Sequence, residues 1–414
     1  MQSIHLFLTG LAVSGSLLHA AESQLLDDAF LSRIRAEAAR SHPASVAAKR
    51  RADAAAHDVT SVRLWDDPMV GLGFMTADEM MRQDEGDIIL GLEQKLPKPG
   101  MYEAQRRKAE AMQRAETENS NSSALTAGAE AVRSAIELAL ADESITLQQA
   151  QVTWLAAMTE NAKQMAADPM GSSSDALRME TELAKDQQML DAARRSREGF
   201  AKKLNLTLGR PLDSSWPELK LPAAPPPVPV AQAEIARIPH ANPKVRAMKE
   251  MAGAANAETR MADRERLPEV SVGIDTNLYS DTGDIKSTTF GVKMTLPWFN
   301  EGSYKAKVSA AQSRETAANH DVETMRREVA TMVLSAVTEA SNAAAQARAY
   351  SGEIHDKAQL TTKTIEAAWI SSKAPLTDLL DSARTLFSIR LEQRRMIAME
   401  QAELEELHTL VPNR

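Results

Sequence analysis

The chain has 414 residues, a formal net charge of −9 and no cysteine. The missing basic field excludes a nucleic-acid binder, and the missing thiols exclude disulfides, thiolate metal sites and cysteine nucleophiles. With only 4% aromatic residues and long stretches of Ala, Glu, Gln, Met, Leu and Arg, the composition favours helices packed through small side chains rather than a thick globular core.

In chain order, residues 1–21 read as a secretory signal peptide. An apolar stretch from Ile4 to Leu18 runs into Leu18-His19-Ala20-Ala21, a small-residue cleavage site. The segment ahead of it departs from the usual pattern in carrying His5 but no Lys or Arg. No later segment approaches the ~18 consecutive apolar residues of a transmembrane helix. An exported chain of this kind is either periplasmic or part of an outer-membrane β-barrel.

The chain then repeats itself. His42-Pro43 has a counterpart in Asn242-Pro243, Pro68-Met69-Val70-Gly71-Leu72-Gly73 in Pro268-Glu269-Val270-Ser271-Val272-Gly273, and Gly91 to Pro97 in Gly291 to Pro297, every pair at an offset of 200 residues. Three landmarks at one offset indicate a tandem duplication. The expected organisation is a first repeat over 22–208, a linker over 209–230 and a second repeat over 231–414. The linker carries Pro211, Pro217, Pro222 and Pro225-Pro226-Pro227, which predicts extended, solvated chain.

Each repeat offers a hairpin, at 68–97 and 268–297. In the second, Val270, Val272, Ile274 and Leu278 share one face, and Glu269, Ser271, Asp275 and Asn277 the other. After a turn at Asp281-Thr282-Gly283-Asp284, Phe290, Val292, Met294 and Leu296 alternate with Ser287, Thr289, Lys293 and Thr295. The first hairpin alternates less cleanly, with Met69, Met75 and Ile89 on its polar side. Strands of this type fit a transmembrane barrel or an ordinary half-buried sheet. Four strands cannot close a membrane barrel, whose smallest members have ~8, so a spanning role requires several chains to share one.

Long helices follow each hairpin. Met101 to Ala166 contains no proline and one glycine, Gly128, and some 65 residues of helix span roughly 100 Å. Tyr304 to about Ile370 repeats the pattern, with Val322, Met325, Val329, Met332, Ala336 and Ala340 at heptad-like spacing. Turns at 167–174 and 371–377 return the chain, with Ser174 and Thr377 as expected N-caps. Asp168, Asp175, Asp378 and Asp381 cluster at these tips. They read first as helix-end charges favoured by the dipole, and otherwise as an acidic constriction that favours cations.

The order of helix, strand hairpin, long helix pair, proline-rich link and repetition resembles the TolC family of outer-membrane efflux proteins. Pro68-x-Val70 and Pro268-x-Val270 resemble its strand openings. Leu96-Pro97-Lys98-Pro99-Gly100 and Leu296-Pro297-Trp298-Phe299-Asn300-Glu301-Gly302 resemble its strand-to-helix junctions, and Leu204 to Pro211 the close of its first repeat. The resemblance implies a mainly α protein with a small β part. Long antiparallel helices would form an α-helical barrel, and four transmembrane strands per chain would close as a trimeric 12-stranded β-barrel. It implies a homotrimer in the outer membrane with a long periplasmic extension, working with a periplasmic adaptor and an inner-membrane pump of RND type. Glu269, Ser271, Asp275, Asn277, Thr289 and Lys293 would face its lumen. The absence of cysteine sets the chain apart from the lipidated members, and Ser371-Ser372 stands at the second tip where a glycine is often seen. Within the family, Trp65-Asp66-Asp67-Pro68 and Gln94 to Gly100 most resemble the branch linked to heavy-metal efflux. Met75, Met80, Met81, Met165 and Met170 suit soft ions but read better as helix formers and gap fillers.

No phosphate loop, His-Glu-x-x-His or Gly-x-Ser-x-Gly occurs in the sequence, so no enzyme, cofactor or resident metal is expected. Two other readings remain open at this level. One keeps the duct but carries drugs or secreted polypeptides (type I secretion); the other is a periplasmic coiled-coil adaptor or scaffold.

Overall fold

The structure is a computed structural model that describes residues 23–75, 87–167, 173–280 and 282–412. The expected signal peptide, Met80, Met81, Asp168, Met170 and Asp281 lie outside the described residues. The chain runs β1 (Gln24–Leu25), α1 (Asp28–Ser41), α2 (Pro43–Ser61), β2 (Met69–Met75), β3 (Asp87–Lys95), α3 (Met101–Ala166), α4 (Ser173–Leu208) and β4 (Leu219–Lys220). It continues through α5 (Ala231–Ala241), α6 (Pro243–Glu265), β5 (Val270–Tyr279), β6 (Ile285–Met294), a 3-10 turn (Pro297–Asn300), α7 (Glu301–Ser351), α8 (Glu353–Ile370) and α9 (Leu376–Leu410). An order of two short helices, a hairpin and long antiparallel helices is therefore traversed twice.

The first pair of landmarks at the common offset marks a break between two helices. His42 and Asn242 both end one helix and cap the next, and the following proline occupies the first turn, where a missing N–H costs nothing. Asn242 Oδ1 accepts from the Val245 N–H at 3.0 Å. At the far end of α4, Gly209 takes φ 68°, the left-handed conformation that closes a helix and that glycine enters without a Cβ clash.

Helix α3 has the predicted bounds, and its 66 residues give a rod of roughly 100 Å. The second long helix differs from expectation. It begins at Glu301 and breaks at Gly352, which separates α7 from α8 with φ −103° and ψ −126°. The heptad reading holds for Val329, Ala336 and Ala340, but Val333 is buried and Met332 points outward. A strict repeat of 7 drifts against 3.6 residues per turn, so a single assigned position slips by one.

The linker is not solvated throughout. Leu219 and Leu221 are buried, β4 pairs in parallel with β1, and α3 holds the segment through two adjacent carboxylates. Asp142 accepts from the Leu219 N–H at 2.8 Å and Glu143 from the Leu221 N–H at 2.9 Å. These bonds satisfy backbone donors that could not otherwise be buried.

Three apolar clusters hold the helices. One joins α1, α3, α4, α9 and the linker around Phe30, Leu138, Leu204 and Leu219. A second joins α5, α6, α7 and the end of α9 around Ile238, Val333 and Leu407. The third lies at the tips and contains Leu155, Met158, Met179, Trp369, Leu376 and Leu379.

At the second tip, Ser372 is the one described non-glycine residue with positive φ, 58°. It fills the role of the expected glycine: the Lys373 N–H returns to the Ala368 carbonyl at 2.7 Å and that of Ser372 to Trp369 at 2.8 Å. Helix α9 starts at Leu376 with Pro375 as N-cap and no side-chain cap. Thr377 thus lies inside the first turn, because burying Leu376 in the tip cluster draws the helix start one residue earlier. Ser372→Gly should raise stability by about 0.5–1 kcal/mol, since only the serine carries the left-handed penalty. A higher midpoint in thermal unfolding of the detergent-solubilised protein checks this.

Candidate functional site: a strand wall and two helix tips

The hairpins join into one antiparallel sheet in the order β2-β3-β5-β6. Its register assembles a row of Val70, Leu92, Ile274 and Phe290 on one face and a row of Gly71, Gly91, Asp275 and Thr289 next to it on the other. The alternation read from sequence is therefore carried across all four strands.

The apolar face is open. Leu72 is 79% exposed, Val70 74%, Val292 73% and Phe290 81%, and among the described residues no helix packs along this sheet. A soluble sheet covers such a face with a core; this one leaves an apolar band that calls for a hydrocarbon solvent.

The opposite face is polar and internally paired. Glu93 accepts from the Ser271 Oγ at 2.7 Å and from the Lys293 Nζ at 2.6 Å. Lys95 pairs with Glu269 at 3.1 Å, Lys286 with Asp87 at 3.1 Å, and Asn277 Nδ2 donates to Ser287 Oγ at 3.0 Å. Asp275 lies over Gly91, where a Cβ would sit 2.6 Å from its Oδ1, so the glycine makes room for the carboxylate. The structure thus brings Glu269, Ser271, Asp275, Asn277, Thr289 and Lys293 to this side. Sequence reading missed Glu93 and Asp87, since β3 is apolar at most positions; the signal was their place in its alternation.

Three of the four tip aspartates lie among the described residues. Asp175 is half-buried in the first turn of α4, while Asp378 and Asp381 are exposed on α9. Asp381 contacts Arg384 at 3.4 Å, and Arg384 bridges to Glu182 of α4 at 2.9 Å. Burial would raise the Glu182 carboxyl, but hydrogen bonding and charge from Arg384, with Lys185 beside it, hold it below the ordinary range. Burial and the charge of Glu182 push Asp186 up. This α4–α9 pairing joins residues about two hundred positions apart, and nothing local in the sequence marks it. Met165 packs on the tip core, which is the gap-filling role. Among the described residues, no group of three or more His, Cys, Asp or Glu is placed to hold a metal ion, and no helix is long and apolar enough to cross a membrane.

The architecture is thus a four-stranded sheet with an exposed apolar face, continued by long antiparallel helices, of which α3 spans roughly 100 Å. Residues 236–411 match the family model described as outer membrane efflux protein. Solved structures extend the likeness in fold to nearly the whole chain. The outer-membrane channel OprN superposes with a TM-score of 0.78 at 15% identity, covering 93% of this chain and 90% of that one. The outer membrane protein VceC of Vibrio cholerae gives 0.75 at 15%, covering 92% and 96%. CusC gives 0.78 at 14%, covering 94% and 93%. No curated protein sequence matches the chain.

Proposed function

We propose that this outer-membrane channel is the duct of a tripartite efflux system and that its cargo is heavy-metal cations. The observation that carries the duct reading is the sheet itself. It exposes an apolar face and leaves β2 and β6 each with a neighbour on one side only, so it needs further copies to close. As a homotrimer it makes a twelve-stranded barrel, and the helices prolong it as a tunnel toward a periplasmic adaptor and an RND-type pump.

In this reading 22–208 and 231–414 are two structural repeats, with hairpins at 68–97 and 268–297, joined by the strap at 209–230. Glu269, Ser271, Asp275, Asn277, Thr289 and Lys293 line the wet lumen. Asp168, Asp175, Asp378 and Asp381 contribute a negative field at the tip, which raises the local concentration of cations. The cargo rests on the resemblance of Trp65 to Pro68 and of Gln94 to Gly100 to the metal-efflux branch.

A deletion strain should become sensitive to copper, silver, zinc or cobalt, with little change against a drug panel, and the intact gene should restore growth. Drug sensitivity alone, or no sensitivity, would remove the metal cargo and leave the duct.

A further inference from the structure

Glu400 is a carboxylate in the wrong surroundings. It lies on α9, is 0% exposed, and both carboxyl oxygens lack any hydrogen-bond partner. Its neighbours along the chain, Ile397 and Ala398, belong to the apolar cluster that also contains Ala347 of α7 and Ala131, Ala135 and Leu138 of α3. An ionised carboxylate left unpaired in such a seam is strongly disfavoured, whereas the neutral acid is tolerated.

On α3, Arg133 is engaged by Glu406 at 2.5 Å and Glu137 by Lys203 at 2.7 Å. On α9, burial and the charge of Glu339 push Glu403 up. On α7, Arg348 is the charge that acts on Glu400. Arg348 is exposed and stands one turn before Gly352, where α7 breaks from α8.

We propose that Glu400 is a proton-binding site in the helix wall: protonated, it seals the α7–α9 seam; ionised, it leaves the seam for the Arg348 guanidinium and loosens the packing beside the Gly352 break. No group transfers other than the proton, which the aqueous medium accepts. Burial raises this carboxyl from 4.5 to about 7, with Arg348 pulling it back down. The folded value lies above the unfolded one, so the stabilisation is complete in acid, below about 4.5, and is lost as pH rises through about 7.

The test uses the full chain in detergent or liposomes. Infrared spectra should show a protonated-carboxyl C=O band at about pH 5.5 that is gone at about pH 8.5 and absent from Glu400→Gln. Corrected amide exchange over 344–352 and 396–404 should be at least about tenfold faster at the higher pH in the parent protein and slow at both in Glu400→Gln. Arg348→Gln, an exposed change that keeps the fold, should move the midpoint of the infrared band upward. A parent protein without the band, or a Glu400→Gln variant that keeps the parent pH dependence, would overturn the proposal.

Discussion

Phe290→Arg or Leu92→Arg should strip the protein from the outer-membrane fraction, while Thr289→Arg on the neighbouring row should leave it there. Phe290 and Leu92 share the open apolar row, and Thr289 shares the polar row with Asp275. An arginine facing lipid costs about 2–4 kcal/mol at the bilayer midplane, and each closed barrel carries that penalty once per copy. An arginine on the polar face meets the nearby carboxylate of Asp275. The measurement is the yield of folded, detergent-extractable protein in outer membranes. Equal yields from the two rows would mean that the apolar face does not meet lipid.

The second large effect is expected inside the helical part. Asp142→Ala should lower stability by about 3–5 kcal/mol, the range for breaking a buried pair from one side. Asp142 is 4% exposed, pairs with Arg197 and accepts from the Leu219 N–H. Its loss leaves a part-buried guanidinium and a buried backbone donor without their carboxylate. Arg197 also donates to the Trp216 and Pro217 carbonyls, at 3.3 and 3.1 Å, so the linker should loosen with it. Denaturant unfolding of the solubilised protein reads the stability, and limited proteolysis within 209–230 reads the strap. A loss below about 1 kcal/mol would assign Asp142 to the weak surface pairs.

Beside Asp142, burial pushes the Glu143 carboxyl up despite Arg394 at 2.8 Å. The strap is therefore fastened by two adjacent acids, and the Asp142 variant addresses one of them alone.

What was legible in the sequence was whatever local backbone chemistry dictates. Proline after His42 and Asn242 forces a helix boundary. An uninterrupted run from Met101 to Ala166 gives one rod, and alternation in Val270 to Tyr279 separates two strand faces. Each follows from the period of a helix or a strand or from a missing N–H, so a few neighbouring residues suffice. Tertiary structure alone decided the rest: that the apolar face of the sheet stays uncovered, that Glu93 meets Lys293 across β5, that Arg384 reaches Glu182, and that Asp142 and Glu143 pin a proline-rich strap. It also placed Val333 rather than Met332 in the seam and left Glu400 buried without a partner. These depend on which distant segments the packed helices bring side by side, and no local period records that choice.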